Sequence, residues 1–160
     1  MDITKTNFTL NIEEGTFNYK EKEYHFGQIL TEVKNLLGEN IEDASPVMKS
    51  GRVFVYLPKG LFYGLSVSPT FVFKDGIFRK VTFETTLCGL GEGFFSLKED
   101  NKALEKNVSI IKMNLKQVFP DGYDDKNGDF CVESKDKSYA LYAYATRDFD
   151  RYIIYFSDNK

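Results

Sequence analysis

The sequence predicts an α+β fold, with a mostly antiparallel sheet of about seven to nine strands, in hairpins and a meander, packed with two helices. Three observations lead there. Short runs with period-two alternation recur along the chain, each closed by Gly, Pro, Asn or Asp. Two stretches instead carry apolar residues at three- and four-residue steps, the spacing of one helix face. Finally, 10 Tyr and 15 Phe with no Trp supply ring-bearing side chains that favour strands and fill cores. At 160 residues the chain reads as one globular domain, 1–160, able to bury roughly 70% of its unfolded surface.

The first elements are strands. Phe8 to Ile12 alternates, Glu13-Glu14-Gly15 turns, and Thr16 to Tyr19 returns as a hairpin. Charged Lys20-Glu21-Lys22-Glu23 leads to a short third strand at Tyr24-His25-Phe26. Ile29, Val33, Leu36 and Leu37 then define a short amphipathic helix, and Gly38 supplies its left-handed stop.

Polar Glu39 to Ser50, with Pro46 inside it, is expected to be a loop. Four strands of a meander follow: Arg52 to Leu57, Leu61 to Val67 closed by Ser68-Pro69, Thr70 to Phe73, and Ile77 to Thr85. Asp75-Gly76 predicts a tight hairpin, since both central positions of such a turn need positive φ.

After a glycine-rich linker, Leu87 to Phe95, the pattern Ser96-Leu97-Lys98-Glu99 has the spacing of a capping box. The second helix carries Leu104, Val108, Ile111, Leu115 and Val118 on one face and stops at Pro120. Asp121 to Gly128 is a polar loop, with Asn127-Gly128 turning between Tyr123-Asp124 and Phe130-Cys131. Three strands close the chain: Asp129 to Ser134, Ser138 to Tyr144, and Arg151 to Ser157. The last is almost continuously apolar through Tyr152-Ile153-Ile154-Tyr155-Phe156, which predicts an interior strand covered on both faces.

Charge is informative by region. Met1 to Pro120 holds 15 basic and 15 acidic residues, whereas Asp121 to Lys160 holds 6 and 9, the whole of the net −3. Nucleic-acid affinity comes from Lys and Arg neutralising phosphates, and this balance argues against it. A cationic protein surface is the more natural partner for the acidic end. Cys88 and Cys131 have neither the redox nor the zinc spacing and read as buried thiols of a reducing compartment. The N-terminus offers no apolar signal core, and Gly60 to Phe73, the longest uncharged stretch, is shorter than the about 18 residues of a membrane span, so the cytosol is expected.

Candidate chemistry is sparse. His25 is the one histidine, and in a strand it points away from Tyr24 and Phe26; if those rings enter the core, it faces solvent. Gly89-Leu90-Gly91-Glu92-Gly93 lies between a strand and a helix, yet it lacks the phosphate-loop spacing and its lysine. Aligning Gly128 to the sixth position of a calcium loop puts Tyr123 first and Ser134 twelfth, where acids are required. Neither a metal nor a cofactor is therefore expected. The tyrosines Tyr139, Tyr142, Tyr144, Tyr152 and Tyr155 cluster in the last two strands, and rings rimmed by carboxylates suit a protein interface.

The opening hairpin, the short helix ending Leu36-Leu37-Gly38-Glu39 and the meander through Phe71-Val72-Phe73-Lys74-Asp75-Gly76 resemble small bacterial immunity proteins of contact-dependent or polymorphic toxin systems. The resemblance implies a non-catalytic cytosolic inhibitor that covers the active site of one toxin, often a basic nuclease. The charge layout by itself points to Tyr123, Asp124, Asp125, Asp129, Glu133 and Asp136 as part of the contact surface. The rival expectation is a small enzyme or ligand-binding domain with an aromatic-lined pocket, with His25, Glu84 and Tyr56 as candidates.

Overall fold

The computed structural model describes residues 2–38, 43–47, 51–87, 97–146 and 151–159. It is an α+β structure with two antiparallel sheets and two helices. The small sheet comprises β1 (Phe8–Asn11), β2 (Thr16–Tyr19) and β3 (Lys22–His25) in that order. Helix α1 (Leu30–Leu37) precedes β4 (Asp43–Val47), β5 (Arg52–Tyr56), β6 (Gly60–Phe62), β7 (Leu65–Lys74) and β8 (Ile77–Thr86). Helix α2 (Leu97–Val118) then leads to β9 (Tyr123–Asp124), β10 (Phe130–Glu133), β11 (Tyr139–Ala145) and β12 (Arg151–Asp158).

The main sheet runs β4-β5-β7-β8-β12-β11-β10-β9, with β6 hairpinned onto β7. Its inner face carries Val55, Phe71, Phe73, Val81, Phe83, Ile154, Phe156 and Leu141, all fully buried. The small sheet packs there through rings. Phe17 meets Phe71 edge-on at 5.5 Å, and Phe8 meets Phe83 at 4.9 Å. Within the small sheet Phe8 stacks on Tyr19 and Phe17 on Tyr24. Helix α1 adds Val33 and Leu37, and α2 adds Leu104, Ile111 and Leu115 to the same core. Among the described residues no helix is long and apolar enough to cross a membrane.

Three two-residue turns share left-handed backbone at both central positions: Lys20-Glu21, Tyr63-Gly64 and Asp75-Gly76. The third is the one expected. Such turns match strand twist, which explains the tight β2–β3, β6–β7 and β7–β8 hairpins. Gly15, at φ +65°, ends the first hairpin where a Cβ would overlap the Tyr139 ring, so this site ties the small sheet to β11.

Several expectations change. The main sheet has nine strands among the described residues, within the expected seven to nine, but the first three strands form a separate sheet rather than joining it. The expected loop at 39–50 contains edge strand β4, in which Pro46 faces Val53 of β5; an edge position is where a strand tolerates proline. Ser68-Pro69 does not break the meander, and β7 continues through it. The Pro69 carbonyl accepts the Leu57 N–H at 3.1 Å, just beyond the end of β5, so proline's missing N–H costs only the return bond at a strand end. Tyr123-Asp124, expected in a loop, pairs with β10 across the Asn127-Gly128 turn. Strand β12 is interior to the sheet but covered on one face: Tyr152, Ile154 and Phe156 are buried, while Ile153 and Tyr155 are half-exposed. Its apolar run reflects rings on an open face. The expected Gly89 to Gly93 linker, Ser96 cap and Cys88 lie outside the described residues.

Candidate functional site

A groove of about 630 Å³ lies where the β1–β2 hairpin, the end of α2 and β10 converge. Its apolar floor includes the half-buried Leu10, Ile12, Tyr63 and Val118. Alternation in β1 sends Phe8 to the core, and Leu10 on the same face reaches the groove. The Leu10 N–H donates to the Tyr63 hydroxyl at 3.0 Å, while the Tyr63 ring packs edge-on against Phe119 at 5.7 Å. The floor is thus braced by three elements.

The charged groups of this groove have one sign. Glu13, Glu14, Glu23, Asp121 and Glu133 line it, with no Lys, Arg or His lining it among the described residues. Glu13 accepts the Lys135 N–H at 3.1 Å, which fixes the hairpin turn beside the β10–β11 turn. Glu133 accepts the Tyr123 hydroxyl at 3.1 Å. Carboxylates above a small apolar floor attract a cationic group and give its apolar neighbour a dry seat.

Of the six residues expected at the contact surface, Glu133 lines this groove. Tyr123, at 47% exposure, stands next to it; its phenol is pushed up to about 12 by its bonds to Cys131 and Glu133. Asp125 and Asp129 do not line the groove; both lie within reach of the Tyr142 hydroxyl on the outer face of β11. Asp125 also accepts the N–H groups of Asn127 and Asp129, closing its own loop. Its carboxyl is held below the usual range, chiefly by the Tyr142 bond.

Asp124 and Asp136 are engaged elsewhere. Asp124 pairs with Lys112 of α2 at 2.9 Å, and the same ammonium donates to the Gly128 carbonyl at 2.6 Å. A lysine therefore occupies the cation position in this acid-rich loop. No group of three or more His, Cys, Asp or Glu able to hold a metal exists among the described residues. Asp136 accepts Ser134 Oγ and the Ser138 N–H within the β10–β11 turn, which lowers its carboxyl pKa, first through Ser138.

The groove's other acids were not legible as a group. Glu13 and Glu14 read as turn residues and Glu23 as part of a mixed-charge run. Counting charge along the chain hides them, because Lys20 and Lys22 cancel them in sequence without lining the groove.

The rival residues stay apart. Tyr24 and Phe26 are buried and His25 is exposed, its Nδ1 3.1 Å from the Phe26 carbonyl. His25 lies on the side of the small sheet away from the core, whereas Glu84 and Tyr56 lie on the outer face of the main sheet. Two packed layers separate His25 from both. Cys131 is a buried free thiol, its pKa raised mainly by burial, so it stays protonated at neutral pH.

No protein-family model matches this sequence, and neither a curated protein nor a solved structure matches it.

Proposed function

We propose that this is a non-catalytic immunity protein that binds and neutralises a cognate bacterial toxin, a cationic nuclease, by covering its active site. The observation that carries this reading is the groove of five carboxylates, with no cationic lining residue among the described residues. A nuclease presents basic side chains where phosphates bind, and an inhibitor that offers carboxylates there competes directly with substrate. The contact surface in this reading is the groove together with Tyr123, Asp125 and Asp129 on the neighbouring strands and loop. Asp124 and Asp136 serve the fold of that region. Action in the cytosol, where the toxin would reach its substrate, belongs to the same proposal.

Binding alone suffices, so no proton-transfer group is required. The test is to express the chain together with the neighbouring open reading frame. The reading expects a neighbour that is lethal alone, harmless in company, and co-purified with this protein. A harmless neighbour, or a toxic one that elutes separately, overturns it.

A further inference from the structure

A second concave surface of about 700 Å³ lies on the outer face of the main sheet and shares no lining residue with the acidic groove. We propose that it binds a small phosphorylated ring compound of nucleotide size, with the phosphates on Arg52, Lys74 and Lys80 and the ring against Tyr144, Ile153 and Tyr155.

The strand register places the cations. Arg52 of β5 sits opposite Lys74 of β7. Lys80 of β8 sits opposite Val72, one step along the same face from Lys74. Like charges on facing positions repel, so three held together with no described acid paired to them carry an uncompensated field. The acids of this surface are already taken. Asp158, whose side chain is 5% exposed, binds Arg79 at 2.8 Å, and Glu84 binds Arg151 at 2.9 Å. Among the described residues Arg52, Lys74 and Lys80 form no ion pair.

A bulge between Val72 and Phe73 shifts the β7–β8 register, so the consecutive Arg79 and Lys80 both line the surface. Burial and the nearby Arg52 charge lower the Lys80 pKa, the direction an anion would reverse. Lys80 Nζ also stands 5.1 Å from the Tyr155 ring centroid, and the Tyr144 ring meets Tyr155 edge-on at 6.4 Å. Cations at one end and rings at the other suit a ligand that joins phosphate to a planar group. Three cations favour phosphate over a single carboxylate. A long nucleic acid fits worse, because the sheet face continues past the tyrosines to Asp125, Asp129 and Glu133.

The test is calorimetric titration of the full chain with the four common ribonucleoside triphosphates, and in parallel with adenosine, inorganic phosphate and single-stranded oligonucleotides of two lengths. The proposal expects saturable one-to-one binding of at least one triphosphate, roughly tenfold or more tighter than adenosine or phosphate alone. Arg52→Gln and Lys80→Gln should each weaken it by roughly tenfold, while Glu32→Gln, at an exposed position of α1, leaves it unchanged. No saturable triphosphate binding below about 5 mM overturns the proposal. Affinity that rises with oligonucleotide length would identify a nucleic-acid surface instead and overturns it equally. Should a variant unfold, amide shift changes in the native protein decide: changes confined to β5, β7, β8 and β12 support the site, and changes elsewhere or none refute it. The assay contains no protein partner, so its outcome is independent of the toxin test.

Discussion

The Tyr142 hydroxyl, on the outer face of β11, lies 2.6 Å from Asp125 Oδ2 and 3.0 Å from Asp129 Oδ2. A phenol has one proton to donate, so the two carboxylates compete for it and the shorter contact goes to Asp125. This ring pins the β9–β10 loop to the sheet.

Replacing Tyr142 with Phe should release Asp125. Its carboxyl pKa, now below the ordinary 3.8 mainly because of that bond, should rise towards it, as measured by NMR titration. The sign follows from linkage: a lowered folded value stabilises above the unfolded value and is lost as pH falls through the folded one. The Tyr142→Phe protein should therefore lose less stability than the native protein between about pH 4 and pH 2.

Tyr152 is 1% exposed, and its hydroxyl has no hydrogen-bond partner among the described residues. An unsatisfied buried hydroxyl costs roughly 1–3 kcal/mol, so Tyr152→Phe should be neutral or stabilise by about 1 kcal/mol in urea unfolding. A loss above about 2 kcal/mol would mean that the hydroxyl has a partner.

Alkaline unfolding should follow the buried phenols. Burial raises the Tyr152 pKa and pushes that of Tyr24 up to about 12. Stability held by a raised group is intact below its unfolded value, here near 10.0, and lost as pH climbs through the folded value. Unfolding free energy should be flat to about pH 9.5 and then fall, by at most about 1.4 kcal/mol per pH unit for each phenol. Tyr24→Phe should soften that fall.

Gly15→Ala combines a left-handed backbone with overlap against the Tyr139 ring. We expect a loss of roughly 2–4 kcal/mol. Tyr139→Ala should have its own cost, but the pair should lose less than the sum, and a double-mutant cycle reads this directly. Strict additivity would show that the ring is not the obstacle.

For the proposed partner, neutralising Glu13, Glu14 and Glu23 to Gln should slow association by about tenfold at low salt and flatten its salt dependence. Asp136→Asn should instead leave association unchanged and weaken the β10–β11 turn. Equal effects from both would remove the groove from the interface.

Where one element's own chemistry decided its structure, the sequence was readable. The Asp75-Gly76 hairpin, the apolar face from Leu104 to Leu115 and the turn at Asn127-Gly128 all formed as their residues require. Where the decision lay between distant segments, it was not. Pro69 reads as a break because its effect depends on where β5 ends, at Tyr56, next to the Leu57 that bonds its carbonyl. The outer face of β12 reads as buried, since Ile153 and Tyr155 are apolar enough for a core, yet both are half-exposed among the described residues. The acidic groove joins residues as far apart as Glu13 and Glu133, and the cation trio joins Arg52 to Lys80. Charge arithmetic along a chain sees neither.

The outermost members of the main sheet are β4, interrupted by Pro46, and β9, two residues long. Among the described residues neither offers a long unbroken run of backbone groups on which a foreign chain could zip up by main-chain bonding. Recognition at this sheet is thereby left to side chains, and it can evolve by exchanging surface residues one at a time without disturbing the ladder beneath them.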